Sequence, residues 1–277
     1  RLGSGSVMTE SRQIIKNPYV PPKRPVLLGG RNGHPRLVMA GDDGARAELC
    51  LHGARLTSWV PSGGGEWLDL NAEEGADGTG PPPGGIGLTF PQAGSADFAA
   101  RSDWQLVQVS QTSAVVTARL RLTDSRSSRD RWRWRFQLDL LVTLGGATLN
   151  LHWQLKNTGQ SPLECFPEAQ LPLRLATGTV EYLAPARAQP RQPLLLRDGD
   201  RTLEISSQAL SCLPPPTPAG SVLRLSLRAE SNNPLVLPPG QPWRAALRLV
   251  AGTDAHSHLH PAGATAWEPS GSRLPLP

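Results

Sequence analysis

Residues 131–157 read RWRWRFQLDLLVTLGGATLNLHWQLKN. From Arg131 to Leu140 the side chains alternate without a break. Trp132, Trp134, Phe136, Leu138 and Leu140 fall on one phase; Arg131, Arg133, Arg135, Gln137 and Asp139 fall on the other. Successive side chains of a strand point to opposite faces, so the pattern predicts a strand with one face on a core and one toward water. Gly145-Gly146 then turns the chain, and TLNLHWQLKN predicts the returning partner of an antiparallel hairpin.

The same period continues outward. ARAELCLHGARLTSWV, WQLVQV and AVVTARLRL precede the hairpin; PLECFPEAQLPLRL, TLEIS, SVLRLSLRAE and RAALRLV follow it. His52 and His152 fall within these strands on the polar phase, and His34 lies before them. No window keeps a helical i, i+3, i+4 apolar stripe free of Pro and Gly. The 28 Gly and 28 Pro of this 277-residue chain suit short strands joined by turns. Many strands with no intervening helices predict an all-β fold, a large antiparallel β-sandwich with extended tails. The expected organisation is an arm over 1–30, a sandwich over 31–252 and a polar, Pro-rich tail over 253–277.

Charge separates the arm from the sandwich. Residues 1–28 hold five basic groups (Arg1, Arg12, Lys16, Lys23, Arg24) against Glu10, a balance of +4 out of a net +5. The sandwich is therefore nearly neutral, unlike a nucleic-acid-binding domain, which carries its excess on the folded surface. No apolar run approaches the ~18 residues of a membrane span, so a soluble or peripheral chain is expected. Cys50, Cys165 and Cys212 are too few and too scattered for a disulfide framework. They suggest reduced thiols in an intracellular, reducing compartment. The arm itself has four prolines, which favour extended geometry, and apolar handles at Ile14, Ile15 and Tyr19 beside Lys16, Lys23 and Arg24. Such a segment is either a disordered leader or an arm that orders by lying across a protein partner.

Four segments occur in a telling order: GARLTSWVPSGGGEWLDL (53–70), GGIGLTFPQAGSADFAARSDW (84–104), LKNTGQSPLECFPEAQLPL (155–173) and LVLPPGQPW (235–243). This order resembles that of the hexose-6-phosphate mutarotases, the glucose-6-phosphate 1-epimerase branch of the galactose mutarotase-like superfamily. The resemblance implies the sandwich that the periodicity predicts. It also implies a cleft in which a carboxylate takes the proton of the anomeric hydroxyl while a histidine protonates the ring oxygen.

Carried over residue by residue, the chemistry departs from that pattern. The family's H-G-F-A-R turn becomes Ala96-Asp97-Phe98-Ala99-Ala100, so Ala96 stands where a histidine is expected and Ala100 where an arginine is, with Arg101 one position late. The ring-protonating histidine falls at Gln170, whose amide orients a sugar but gives no proton at neutral pH. Glu230 best matches the base; Asp198 and Asp200 lie in an expected turn and neither is assigned. The resemblance makes Arg55, Gln92, Asp97, Arg101 and Gln170 the candidate sugar-binding residues. Arg55 could equally cover Trp59, and Gln92 could satisfy loop backbone.

Other signals are weaker. HSHLH sets His256, His258 and His260 at alternate positions that would share a strand face, as metal sites on sheets require. The flanking PAGA and SGS do not suit a rigid strand, and a polar tail is the plainer reading. The Arg131, Arg133, Arg135 row suits an anionic partner or simply a solvated outer strand. No phosphate loop, dinucleotide fingerprint or nucleophile elbow is present, and no cofactor is expected. The favoured expectation is a mutarotase-like domain without catalysis, a subunit of a larger assembly joined to other proteins through its arm, with a vestigial sugar cleft. In plants a chloroplast NDH-like complex at the thylakoid includes, by family resemblance, a subunit of this fold. The alternatives are a working hexose-6-phosphate mutarotase with relocated groups (Glu230 with Asp97) and a non-catalytic carbohydrate sensor.

Overall fold

The computed structural model describes residues 24–30, 33–70, 84–93, 97–183, 192–212, 218–229 and 233–253. The first strands among the described residues are β1 (Val26–Gly29), β2 (Pro35–Ala40), β3 (Arg46–Cys50) and β4 (Arg55–Val60), hydrogen-bonded in that order. Then follow β5 (Gly87–Thr89), β6 (Gln105–Gln111), β7 (Val116–Thr123), the single turn α1 (Arg126–Arg129), β8 (Phe136–Gly145) and β9 (Thr148–Asn157). The last half supplies β10 (Leu163–Cys165), β11 (Glu168–Arg174), β12 (Glu181–Tyr182), β13 (Leu194–Asp198) and β14 (Arg201–Gln208). It ends with β15 (Ser211–Cys212), β16 (Val222–Arg228), β17 (Leu235–Leu237) and β18 (Pro242–Thr253).

Every pairing among the described residues is antiparallel. An eight-stranded sheet runs β12-β13-β14-β18-β9-β8-β7-β6, and a four-stranded one runs β15-β16-β11-β5. Strands β10 and β17 form a separate pair. The fold is the large all-β sandwich that alternation implies. Inward residues such as Leu138, Leu140, Leu151, Trp153, Leu171, Leu225 and Leu247 join one continuous core with Trp59 and Trp67. At ~25 cal/mol for each Å² of apolar surface removed from water, that core is the main stabilising term.

Four expectations are corrected. The strand over 131–144 begins only at Phe136, because β7 ends at Thr123 and its last partner on β8 is Gln137. Residues 132–135 lack that partner, and Trp132 instead packs edge-on against Phe90 at 5.3 Å. One helical turn does exist, with Ser125 accepting from Ser128 N as its cap. His52 sits in the turn between β3 and β4 rather than in a strand. Val26–Gly29, which the sequence assigned to the arm, pair with β2 as an edge strand. The arm's Ile14, Ile15, Lys16, Tyr19 and Lys23 lie outside the described residues, and Arg24 is exposed. No helix among the described residues is long and apolar enough to cross a membrane.

Candidate functional site

The loop from Gly84 to Trp104 is held by its own backbone. Phe98 N and Ala99 N both donate to Phe90 O, at 2.7 and 3.1 Å, and Trp104 Nε1 donates to Ala99 O at 3.0 Å. Phe90 is fully buried, with its ring 4.9 Å from that of Phe136, and the Phe90–Pro91 peptide is cis. Gly85 is required at its position: φ is 72°, and a Cβ there would stand 2.3 Å from Leu56 O.

Asp97 serves this loop. Its Oδ1 accepts from Phe90 N at 3.2 Å and from Ala100 N at 3.1 Å. Burial pushes its carboxyl pKa up, against the opposing pull of these two amides and of Arg55 and Arg101. Ala100 is buried, and Gly53 closes on its carbonyl, so that a Cβ on Gly53 would stand 2.9 Å from Ala100 O. The position at which the resemblance expects an arginine is thus packed shut. Arg101 and Gln92 are exposed.

A polar row lies on the sheet formed by β5, β11 and β16. Leu171 and Leu225 face the core, which leaves Glu168 and Gln170 of β11, and Ser226 and Arg228 of β16, on the opposite face. Gln170 pairs with Gly87 on one side and Ser226 on the other; Glu168 pairs with Thr89 and Arg228. Directly paired residues share a face, so these six positions form two adjacent rungs. Gln170 donates through Nε2 to Glu168 Oε1, and its Oε1 accepts from Ser226 Oγ at 3.1 Å. Arg228 Nε donates to Glu168 Oε2 at 2.8 Å. The Glu168 side chain is 13% exposed and that of Arg228 59%.

Arg55 completes the row from β4. Its Nη1 donates to Gly84 O at 2.8 Å, and its guanidinium carbon would lie 3.4 Å from a Cβ on Gly87. The glycine lets the guanidinium lie over the rung that carries Gln170. Of the sequence-assigned residues, the structure therefore brings Arg55 and Gln170 together and uses Asp97 to hold the neighbouring loop. Ala96, Glu230, His256, His258 and His260 lie outside the described residues. Asp198 is buried at the end of β13, where it accepts from Ala176 N, Thr177 N and Arg201, a structural role.

Glu168 is the residue that sequence reading missed. It stands two positions before Gln170 in PEAQ and so on the same face, which was the available signal. Also unforeseen, His34 and His52 stack with ring centroids 4.1 Å apart, and His52 Nδ1 lies 2.7 Å from Asp103 Oδ1.

No protein-family model matches the chain, and a search of curated proteins found no match. Solved structures do share its fold. A candidate mutarotase (YeaD) of Salmonella typhimurium superposes with a TM-score of 0.65 at 18% identity, over 79% of this chain and 91% of its own. A galactose mutarotase-like protein of Clostridium acetobutylicum gives 0.66 at 8% identity, over 83% and 98%. Galactose 1-epimerase of Lactobacillus acidophilus gives 0.58 at 11% identity, again over 83% and 98%. The fold is that of galactose mutarotase-like proteins.

Proposed function

We propose that this chain binds an aldohexose, free or as its 6-phosphate, on the β5–β11–β16 face and interconverts its anomers. The observation that carries the reading is Glu168. It is a carboxylate on the same face as Gln170, bonded to Gln170 and Arg228, with Ser226 and Arg55 on the adjacent rung. Mutarotation opens the C1–O5 bond as the anomeric hydroxyl loses its proton, and recloses it on the other face of the aldehyde. Glu168 accepts the O1 proton, while Gln170 and Ser226 orient the ring. The Gln170 amide gives no proton, so O5 takes one from water. A single positioned acid–base group contributes ~10²–10⁴-fold, and the expected acceleration lies in that range rather than at its square.

The test is a coupled assay of α-to-β conversion with glucose and with glucose 6-phosphate. The intact chain is expected to exceed the buffer rate, and Glu168→Gln to return it to that rate while leaving sugar binding measurable by calorimetry. A rate equal to buffer for the intact chain overturns the reading.

The buried Ala100 and the amide at position 170 favour a second reading, a sugar-fold subunit without catalysis. In that reading the N-terminal arm engages other proteins, and an organellar placement, as in a chloroplast assembly, would go with it. A pull-down comparing the full chain with one lacking residues 1–24 separates the two, because that truncation leaves β1 in its sheet. An unchanged set of partners removes the second reading.

A further inference from the structure

We propose that His34, His52 and Asp103 form a binding site for a borderline divalent cation of the Zn²⁺ class, separate from the sugar-facing row. One ligand atom from each residue lies within 4.8 Å of the other two. Asp103 Oδ1 is 2.7 Å from His52 Nδ1 and 3.9 Å from His34 Nδ1. The two imidazoles stack with 22° between planes and centroids 4.1 Å apart. Metal–nitrogen and metal–oxygen bonds of about 2.0–2.2 Å place tetrahedral ligand atoms roughly 3.4 Å apart. The observed separations straddle that value, and the site closes on an ion when the shorter contact lengthens by about 0.7 Å, the longer shortens by about 0.5 Å and the stacked rings splay to converge their nitrogens.

The backbone under these residues is already fixed. Leu51 N donates to Pro35 O, Trp104 N to Leu51 O and Gly53 N to Ser102 O, each at 2.9 Å. His52 and Asp103 also form a β-bridge. Three chain segments are thus stitched together next to the three ligands, so metal binding orders side chains and not loops. The donor set carries one formal negative charge with both imidazoles neutral, which suits a dication. The neighbouring Arg36 is occupied by Glu48 at 2.6 Å. Two imidazoles with one carboxylate favour Zn²⁺, Co²⁺, Ni²⁺ or Cu²⁺ over Mg²⁺ and Ca²⁺, which prefer oxygen. Asp103 has a side chain 79% exposed, so an ion reaches the site from solvent and water completes its coordination. Once bound, the ion staples the end of the 84–104 loop to β2 and the β3–β4 turn.

The experiment titrates ZnCl₂ into the chelator-treated full chain by calorimetry and follows Tm. The tail histidines are a competing source of uptake, so a variant carrying His256→Gln, His258→Gln and His260→Gln is titrated in parallel. That variant is expected to retain one zinc equivalent. Asp103→Asn and His34→Gln are each expected to weaken that equivalent more than about tenfold and to cancel a zinc-dependent rise in Tm of about 5 °C. Asp103→Asn alters an exposed group and keeps a hydrogen-bond acceptor for His52, so its folding can be checked without metal. Absence of zinc uptake, uptake unchanged by both substitutions, or uptake lost with the tail histidines alone overturns the proposal.

Discussion

Ser226 Oγ donates to Gln170 Oε1 at 3.1 Å across the β11–β16 pairing, which turns the Gln170 amide nitrogen toward Glu168 on the same strand. The row is therefore polarised, with a hydroxyl donor, an amide and a carboxylate in sequence. An imidazole in place of the amide would add the proton donor that this face lacks, next to the carboxylate already present. Gln170→His is expected to raise the anomerisation rate about 10²-fold over the intact chain. The gain should fall away as pH rises above ~6.5, where the imidazolium is lost. Polarimetry and the coupled assay both measure it. A variant that binds sugar as before with no gain in rate shows that the C1–O5 unit does not meet this rung.

Asp97 accepts two amides of its own loop, from Phe90 and Ala100. Its raised pKa comes first from burial, so the folded chain holds the proton more tightly than the unfolded one. Stability from this group is then greatest below the ordinary carboxylate range and is lost as pH rises through the folded value. Asp97→Asn keeps an acceptor for Phe90 N and Ala100 N without the buried charge, and is expected to match or exceed the parent in stability at pH 7. Asp97→Ala strands two amides and is expected to cost about 1–3 kcal/mol. Urea denaturation at pH 5 and pH 7 checks both. An Asn variant as unstable as the Ala variant would mean that the charge itself holds the loop.

How much of this was written in the sequence depends on the range of the interaction. The hairpin from Phe136 to Asn157 was legible because alternation and the Gly145-Gly146 turn are local. The start of β8 was not. RWRWR alternates as well as a strand does, yet alternation reports only an extended segment with one buried side, and pairing stops where β7 stops. Trp132 is partly buried against Phe90 and Phe98 without a sheet partner on that side. Within the row, Gln170 was reached through resemblance, while Glu168 went unassigned, its partner Arg228 lying 60 positions later. The His52–Asp103 contact spans 51 positions and has no local signature at all.

Acid should act through two other aspartates. Burial works against ionisation of Asp139 and Asp198, but it is outweighed at each. For Asp139 the opposing groups are Arg121 and Arg119; for Asp198 they are Ala176 N, Arg201 and Thr177. Both carboxyls therefore sit below their ordinary pKa of 3.8 in the folded chain. The stability they supply is present above that value and is lost as pH falls through the lower folded one. Arg121 Nε and Arg119 Nη2 each reach Asp139 at 2.7 Å, and both side chains keep about a third of their exposure. The guanidiniums can thus rehydrate, and Asp139→Asn is expected to cost about 1–3 kcal/mol at pH 7. The difference from the parent should shrink below pH 4, as followed by circular dichroism in urea. A difference independent of pH would assign the loss to packing and not to the ion pairs.

Cys50 and Cys165 offer a test of the smallest sheet. Cys165 is 1% exposed in β10, paired with Leu235 of β17, and burial pushes its thiol up to about 12. Cys50 is also buried and raised for the same first reason. The thiolate is the reacting species, so at pH 8 a thiol near 12 offers about 10⁻⁴ of its population, against roughly a quarter for an ordinary one near 8.5. Peptide mapping after treatment with a thiol reagent is expected to find both residues unlabelled in the native chain and labelled in urea. The β10–β17 pair contributes only three residues from each strand, so it is also the place where local opening could expose a thiol without global unfolding. If Cys165 labels in native buffer much faster than Cys50 and urea titration shows the rest of the fold intact, the labelling rate measures that opening. If the two label together, the small pair is held by the common core that contains both Leu163 and Leu237.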